Sequence, residues 1–377
     1  MSFNVLLKKD WKQVSLLWIL LVFLGIIAFT LPVWSQMQYF DQELRNIEQN
    51  PAEYAPWFDG DVSEMSKEEL FNNDNSSGYS IGDLRIMIPL GSVLFLYVIF
   101  GALMASVLIG AERNSQMSDF TMSLPYTRTQ LYISKWLIGT IGLIVSSLLG
   151  GTLMILLIHF SDYAFLMEGN TVRVAALVLM MMLSGISFFS LSLWMGSFGG
   201  ESISQVIWTA IALAFPVGIV ALVQGSFYAF TQRYDDTYTF FDSMYESVFL
   251  RVLSPLSNLA NVDMYEFFDG QQEWQKFLAI APWSALAFIA LSFGLGLWMF
   301  NRAPQENNGR FFMFSNWLWL VHVFMVLCFA MLGGIILSSF AFQTGFVLYI
   351  VGFLIGGFLA HLLAKRLLYR FNLQLKS

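Results

Sequence analysis

Charge is what this 377-residue sequence has least of: 12% of it is Asp, Glu, Lys or Arg, against about 25% in an average soluble domain. A chain this long cannot cover its outside with so few charged groups and stay in water, so much of its surface must face lipid. Cysteine is nearly absent. Cys328 alone excludes an internal disulfide and a cysteine-rich metal site, and within its apolar run it reads as a small packing residue. The three histidines, His159, His322 and His361, are far apart and lack the H-E-x-x-H spacing of a zinc helix, so they read as packing or interface residues. No G-x-x-x-x-G-K-[ST] occurs, which excludes a P-loop nucleotide site, and no G-x-S-x-G marks a nucleophile. The net charge of −7 argues against a nucleic-acid partner, whose phosphates require a basic surface.

Apolar residues make up 57% of the chain and aromatics 17%. Crossing the hydrocarbon layer takes roughly 20 such residues in a helix. Runs near 14–34, 86–110, 136–160, 172–197, 205–230, 277–300, 316–340 and 344–367 predict an all-α integral membrane protein of about eight transmembrane helices. The first run reaches Trp34 without an A-x-A-like cleavage site and reads as a retained anchor. The central parts of the spans are almost free of ionisable side chains. Ion-coupled transporters and charge-ringed channels place such groups there, so energy for any transport is expected to come from another polypeptide. The Phe-, Met- and Leu-rich spans suit an amphipathic substrate.

Lysine and arginine set the orientation. Lys8, Lys9 and Lys12 precede the first span; Arg113, Arg128 and Lys135 lie between the second and third. Arg302 and Arg310 lie between the sixth and seventh, and Lys365, Arg366, Arg370 and Lys376 follow the eighth. With eight spans all four segments share one side, which predicts cytoplasmic termini. The opposite side is acidic, through loops 35–85 and 231–276. In the first loop, Met37, Phe40, Leu44 and Ile47 recur at helical spacing and extend the first span outward. Ser66-Lys-Glu-Glu69 has capping-box form. In the second, Phe240, Phe241, Met244, Phe249 and Leu250 predict short helices at the membrane surface. Gly352-Phe-Leu-Ile-Gly356 permits close helix contact.

One segment combines charge, amphipathicity and stop signals: residues 110–135, between the second and third spans. Glu112-Arg113 marks the exit from the membrane. A short helix is expected from about Ser115 to Ser123, with Met117, Phe120 and Leu124 on one stripe, and Pro125 stops it. Thr127-Arg-Thr-Gln130 has capping-box form for the third span. The expected result is a short rod across the membrane mouth, its apolar stripe edged by Glu112, Arg113, Asp119 and Arg128. An aromatic on such a rod can anchor it in a partner's groove; the same pattern also describes an ordinary interfacial loop helix.

The run Glu112-Arg113, Phe120-Thr-Met-Ser-Leu-Pro-Tyr-Thr-Arg128 and Ser134-Lys135 resembles the coupling-helix region of ABC-2 type ABC transporter permeases, and the wider layout is similar over roughly residues 1–300. The resemblance implies an amphipathic N-terminal helix at 1–13 along the inner leaflet and a six-span core at 14–300. Residues 301–377 would add a helix pair and basic tail beyond it. It also implies a permease subunit without catalytic or cofactor sites of its own, working as a homodimer or with a second permease. A separate ATP-binding subunit would drive it in the bacterial cell membrane. Glu112, Arg113, Met117, Asp119, Phe120, Leu124, Pro125 and Arg128 would receive the ATPase motion, with Glu201 in a second cytoplasmic turn. Export of a lipid, peptide, glycan or drug is expected. Two other readings are a non-transporting sensor subunit and a membrane-embedded enzyme. The latter requires His159, Asp162, Glu201 and Arg251 to converge.

Overall fold

The computed structural model describes residues 3–58, 61–72, 84–115, 117–231, 234–245, 247–254, 267–268, 271–308, 310–340 and 345–366. Eight helices among them are long and apolar enough to cross a membrane. They are α1 (Phe3–Gln49), α2 (Leu90–Asn114), α3 (Arg128–His159), α4 (Thr171–Phe198), α5 (Ser202–Thr231), α6 (Gln271–Arg302), α7 (Leu318–Ser338) and α8 (Gly345–Ala364). The protein is an all-α multi-pass membrane protein.

The first helix differs from its expected form. In place of a separate interfacial helix at 1–13, α1 runs unbroken from Phe3 to Gln49. Its buried residues, from Leu6 and Asp10 through Leu21, Phe29 and Met37 to Ile47, form one continuous stripe. Hydropathy changes along α1, but a stripe at helical period gives the backbone no reason to break. Pro32 inside it cannot donate to the carbonyl of Ala28; the Ser92 hydroxyl of α2 stands 3.2 Å from that oxygen and supplies a donor.

The helix α4 is the hub of the bundle, packing against α2, α3, α5 and α6, while α1 lies along α3 and α7 pairs with α8. Lipid tails are as apolar as leucine, so helices associate here through close packing and hydrogen bonds rather than by escaping water. The α4 sequence serves that need. Ser184, Ser187, Ser190 and Ser192 are buried, and Trp136 donates to Ser190 at 2.9 Å. A Cβ on Gly185 would stand 2.7 Å from the Tyr97 ring, so the small residue makes room for it. Between α7 and α8 the predicted GxxxG contact forms within the chain: a Cβ on Gly333 would lie 2.6 Å from the Gly352 carbonyl.

On the acidic face, Met37, Phe40, Leu44 and Ile47 are buried. The rings of Phe40, Phe71 and Tyr163 pack together, with Phe40 5.1 Å from Phe71 and 5.4 Å from Tyr163. Tyr163 also donates to Asp41 at 2.7 Å. The Ser66–Glu69 capping box is present, with bonds of 2.7 and 3.3 Å, and starts the short helix Lys67–Asn72. Short helices Tyr234–Tyr245 and Val248–Leu253 follow α5. Phe241 and Leu250 are buried beside Val220, while Phe240 and Phe249 are exposed. The expectations for 73–83, most of 255–270 and the tail 367–377 lie outside the described residues.

Candidate functional site

The rod between α2 and α3 spans Met117–Ser123, about 10 Å at the α-helical rise. Pro125 follows it, and Thr127 then caps α3 in the expected reciprocal arrangement. Gln130 N–H donates to Thr127 Oγ1 at 3.2 Å and Thr127 N–H to Gln130 Oε1 at 3.0 Å. The rod has two unlike faces. Thr121 is 2% exposed and points into the bundle, whereas Phe120 is 65% and Met117 51% exposed. Leu124 is half-buried and Pro125 exposed beside them. The rod thus buries a threonine and leaves a phenyl ring and a thioether bare on its other face.

The charged residues stand elsewhere than expected. Glu112 and Arg113 do not edge the apolar stripe: they are 7% and 6% exposed, turned inward to separate partners. Glu112 binds Lys9 of α1 at 2.7 Å and Lys135 of α3 at 2.9 Å. Asp10 lies 3.5 Å from Lys9 and 3.6 Å from Lys135, and its other oxygen accepts from the Ser134 hydroxyl. Two carboxylates and two ammonium groups from three helices thus close into a neutral cluster, the condition under which buried charge is tolerated. Lys135 also donates to the Leu108 carbonyl at 2.6 Å, and Gln13 to that of Val107 at 2.7 Å. Both acceptors lie in a π-helical turn, Ser106–Gly110, where the widened ladder leaves carbonyls available. The rod is tied to this cluster by Lys9, which donates to Thr121 Oγ1 at 3.3 Å.

Arg113 does something different. Its guanidinium donates to the carbonyls of Gly196 and Gly199, at the C-terminus of α4. That end carries unsatisfied carbonyls and a partial negative charge. Arg128, half-buried, donates to the carbonyls of Asn301 and Ala303 at 2.8 and 3.2 Å and so joins α3 to the end of α6. The side chain of Asp119 lies outside the described residues.

Glu201 is partly exposed in the turn between α4 and α5. Asn114 faces Ser202 across that turn, and a Cβ on Gly110 would stand 2.5 Å from Ser202 Cα, so α2 and α5 meet backbone to backbone. The segment between α6 and α7 covers the same turn. Gly200 N–H donates to Arg310 O at 3.0 Å and Met313 N–H to Phe198 O at 2.8 Å, and Phe312 and Phe314 pack on Phe198.

The constellation required by a membrane-embedded enzyme is not brought together. Asp162 pairs with Lys67 at 3.2 Å on the acidic face, while Glu201 lies at the opposite end of the 28-residue α4, roughly 40 Å away at 1.5 Å per residue. The side chain of Arg251 is outside the described residues. Among the described residues no group of three or more His, Cys, Asp or Glu could hold a metal ion.

Sequence reasoning missed the roles of Lys9 and Asp10 and the inward turn of Glu112 and Arg113. One signal was available: Asp10 and Lys135 occupy positions on otherwise apolar helix faces, and an ionisable group there calls for a partner.

Among the described residues, then, eight helices can cross a membrane and a short rod joins the second to the third, a layout that fits the transmembrane subunit of a transporter. Residues 4–304 match the family model described as ABC-2 family transporter protein, and the chain belongs to that family. It is 28% identical over 253 residues to "Probable ABC transporter permease YtrC" of Bacillus subtilis (strain 168), covering 65% of this chain and 69% of that protein. To "Probable ABC transporter permease YtrD" of the same organism it is 30% identical over 131 residues, 35% of this chain and 39% of that one. No solved structure gives a significant match. The family match ends before α7 and α8.

Proposed function

We propose that this permease is the transmembrane half of an ATP-driven exporter in a bacterial cell membrane, and that Met117–Ser123 receives the motion of a separate ATP-binding subunit. The observation that carries the reading is the two-faced rod: Phe120 and Met117 bare on one side, Thr121 fastened through Lys9 to the buried cluster on the other. A partner gripping Phe120 moves α1, α2 and α3 together, because each contributes a charge to that cluster. Arg113 extends the connection to α4. Glu112, Arg113 and Arg128 act in this scheme as internal linkages, and Met117, Phe120, Leu124 and Pro125 as the contact.

The basic residues gather on the face that carries the rod, which favours its being cytoplasmic, with both termini. The exposed apolar side chains of α5, among them Ile207, Ile211, Phe215 and Phe227, suit lipid or a second permease copy. The span centres, poor in ionisable groups, suit an amphipathic cargo such as a lipid, peptide, glycan or drug. The test is Phe120→Asp in cells expressing both subunits. Membrane insertion should be unchanged while co-purification of the ATP-binding subunit is lost; retention of that subunit would remove the rod from the contact.

A further inference from the structure

Beside the rod, and sharing Lys9, Glu112 and Met117 with the coupling scheme, lies a second feature built on two lysines, Lys8 and Lys12, that the scheme does not use. The N-terminal part of α1 and the end of α2 diverge to leave a cleft of about 750 Å³, within the range of small-molecule sites. One wall carries Val5, Lys8 and Lys12 at helical spacing on α1; the other carries Val107 and Ala111 of α2 and Ser115 just past its end, followed by Met117. The cleft therefore joins an apolar wall to a cationic one.

Its charge is unbalanced. Glu112 is the acidic residue in the lining, and it is already held by Lys9 and Lys135. Lys8 and Lys12, one turn apart and exposed, have no ion-pair partner among the described residues. Two like charges at that spacing repel each other, so an anion between them would be stabilising. The depth of the cleft narrows the choice of anion. Val107 belongs to a membrane-crossing helix, and exposed Trp11 on the adjoining turn of α1 is of the type that settles in the headgroup layer. A water-borne anion would satisfy the lysines but leave the apolar wall uncovered, whereas an amphiphile with an anionic head satisfies both.

We propose that this cleft is a binding site for an anionic phospholipid, its phosphate between Lys8 and Lys12 and its glycerol and upper acyl carbons against Val107, Ala111 and Met117. The lipid would then touch the same helix end from which the rod emerges.

The full-length chain, purified in mild detergent, is tested by native mass spectrometry with phosphatidylglycerol and phosphatidylcholine of identical acyl chains. Phosphatidylglycerol should be retained about thirtyfold more strongly, as expected for two lysines each worth about 1 kcal/mol at an anionic surface. Lys8→Gln with Lys12→Gln should erase the preference, Lys8→Arg with Lys12→Arg should keep it, and Lys365→Gln with Arg366→Gln, at the end of α8, should leave it unchanged. Ala111→Phe, which narrows the cleft and retains both charges, should also erase it and serves if the glutamine pair fails to fold. Equal retention of the two lipids, a preference surviving both cleft variants, or displacement of phosphatidylglycerol by millimolar inorganic phosphate would overturn the assignment. Lipid retention is read on the chain alone, so its outcome is independent of any ATP-binding partner.

Discussion

Replacing Glu112 by alanine removes one of two carboxylates from the cluster and leaves the ammonium groups of Lys9 and Lys135 facing Asp10 alone. Lys135 has 1% of its side chain exposed and Asp10 none, so water cannot compensate. Breaking a buried pair by deleting one partner costs about 3–5 kcal/mol, and that is the destabilisation expected here. Lys9→Ala should cost less, about 1 kcal/mol, since its side chain is 30% exposed and its pairing is partly replaced by solvent. The discriminating variant is the double substitution Glu112→Ala with Lys135→Met, which removes one charge of each sign and restores neutrality. It should be more stable than Glu112→Ala alone, with a coupling of about 2 kcal/mol between the sites. Denaturant unfolding in a fixed detergent, followed by tryptophan fluorescence, measures all four corners of the cycle. Additive effects, or a Glu112→Ala variant as stable as the parent, would refute the claim that these charges form one closed unit.

Other perturbations probe the remaining connections. Arg113→Met should strand the Gly196 and Gly199 carbonyls and cost about 2 kcal/mol, seen as lower thermal stability with insertion intact. Gly352→Leu drives a side chain into Gly333 and should separate α7 from α8, detected as new protease cleavage between them. A truncation after residue 302 should expose Phe198 and free the Gly200 amide, so it should lower stability more than a truncation after residue 315. Reactive tags near residues 60 and 260 should be labelled from outside intact cells and tags at 120 or 305 should not; the reverse pattern would invert the orientation.

Much of the fold was legible because the membrane imposes a length. Eight apolar runs become eight helices, since bilayer thickness fixes how long each must be. The two capping boxes were legible for a different reason: Ser66 with Glu69, and Thr127 with Gln130, need no tertiary partner to form. What escaped depends on distant surfaces. Nothing near Arg113 in sequence announces the end of α4, 83 positions away. Glu112 read as a surface edge because Lys9 and Lys135 lie far off in the chain. The cover of 303–317 over the α4–α5 turn is likewise a backbone matter: Gly200, Phe198, Arg310 and Met313 exchange peptide hydrogen bonds that no side-chain pattern encodes. The rod itself was legible from spacing and from Pro125, but the half-buried Leu124 falls outside it, leaving Met117 and Phe120 as its exposed apolar residues.

The unbroken course of α1 has a mechanical consequence. Forty-seven residues in one helix make a beam roughly 70 Å long, carrying a salt cluster near one end and the Phe40–Phe71–Tyr163 rings near the other. If it pivots at its middle, a tilt of about 5° swings either tip by ~3 Å, enough to shear an aromatic contact. Displacement at the ammonium–carboxylate end is therefore felt across the whole membrane without any intermediary, and the far loops inherit its direction in reverse.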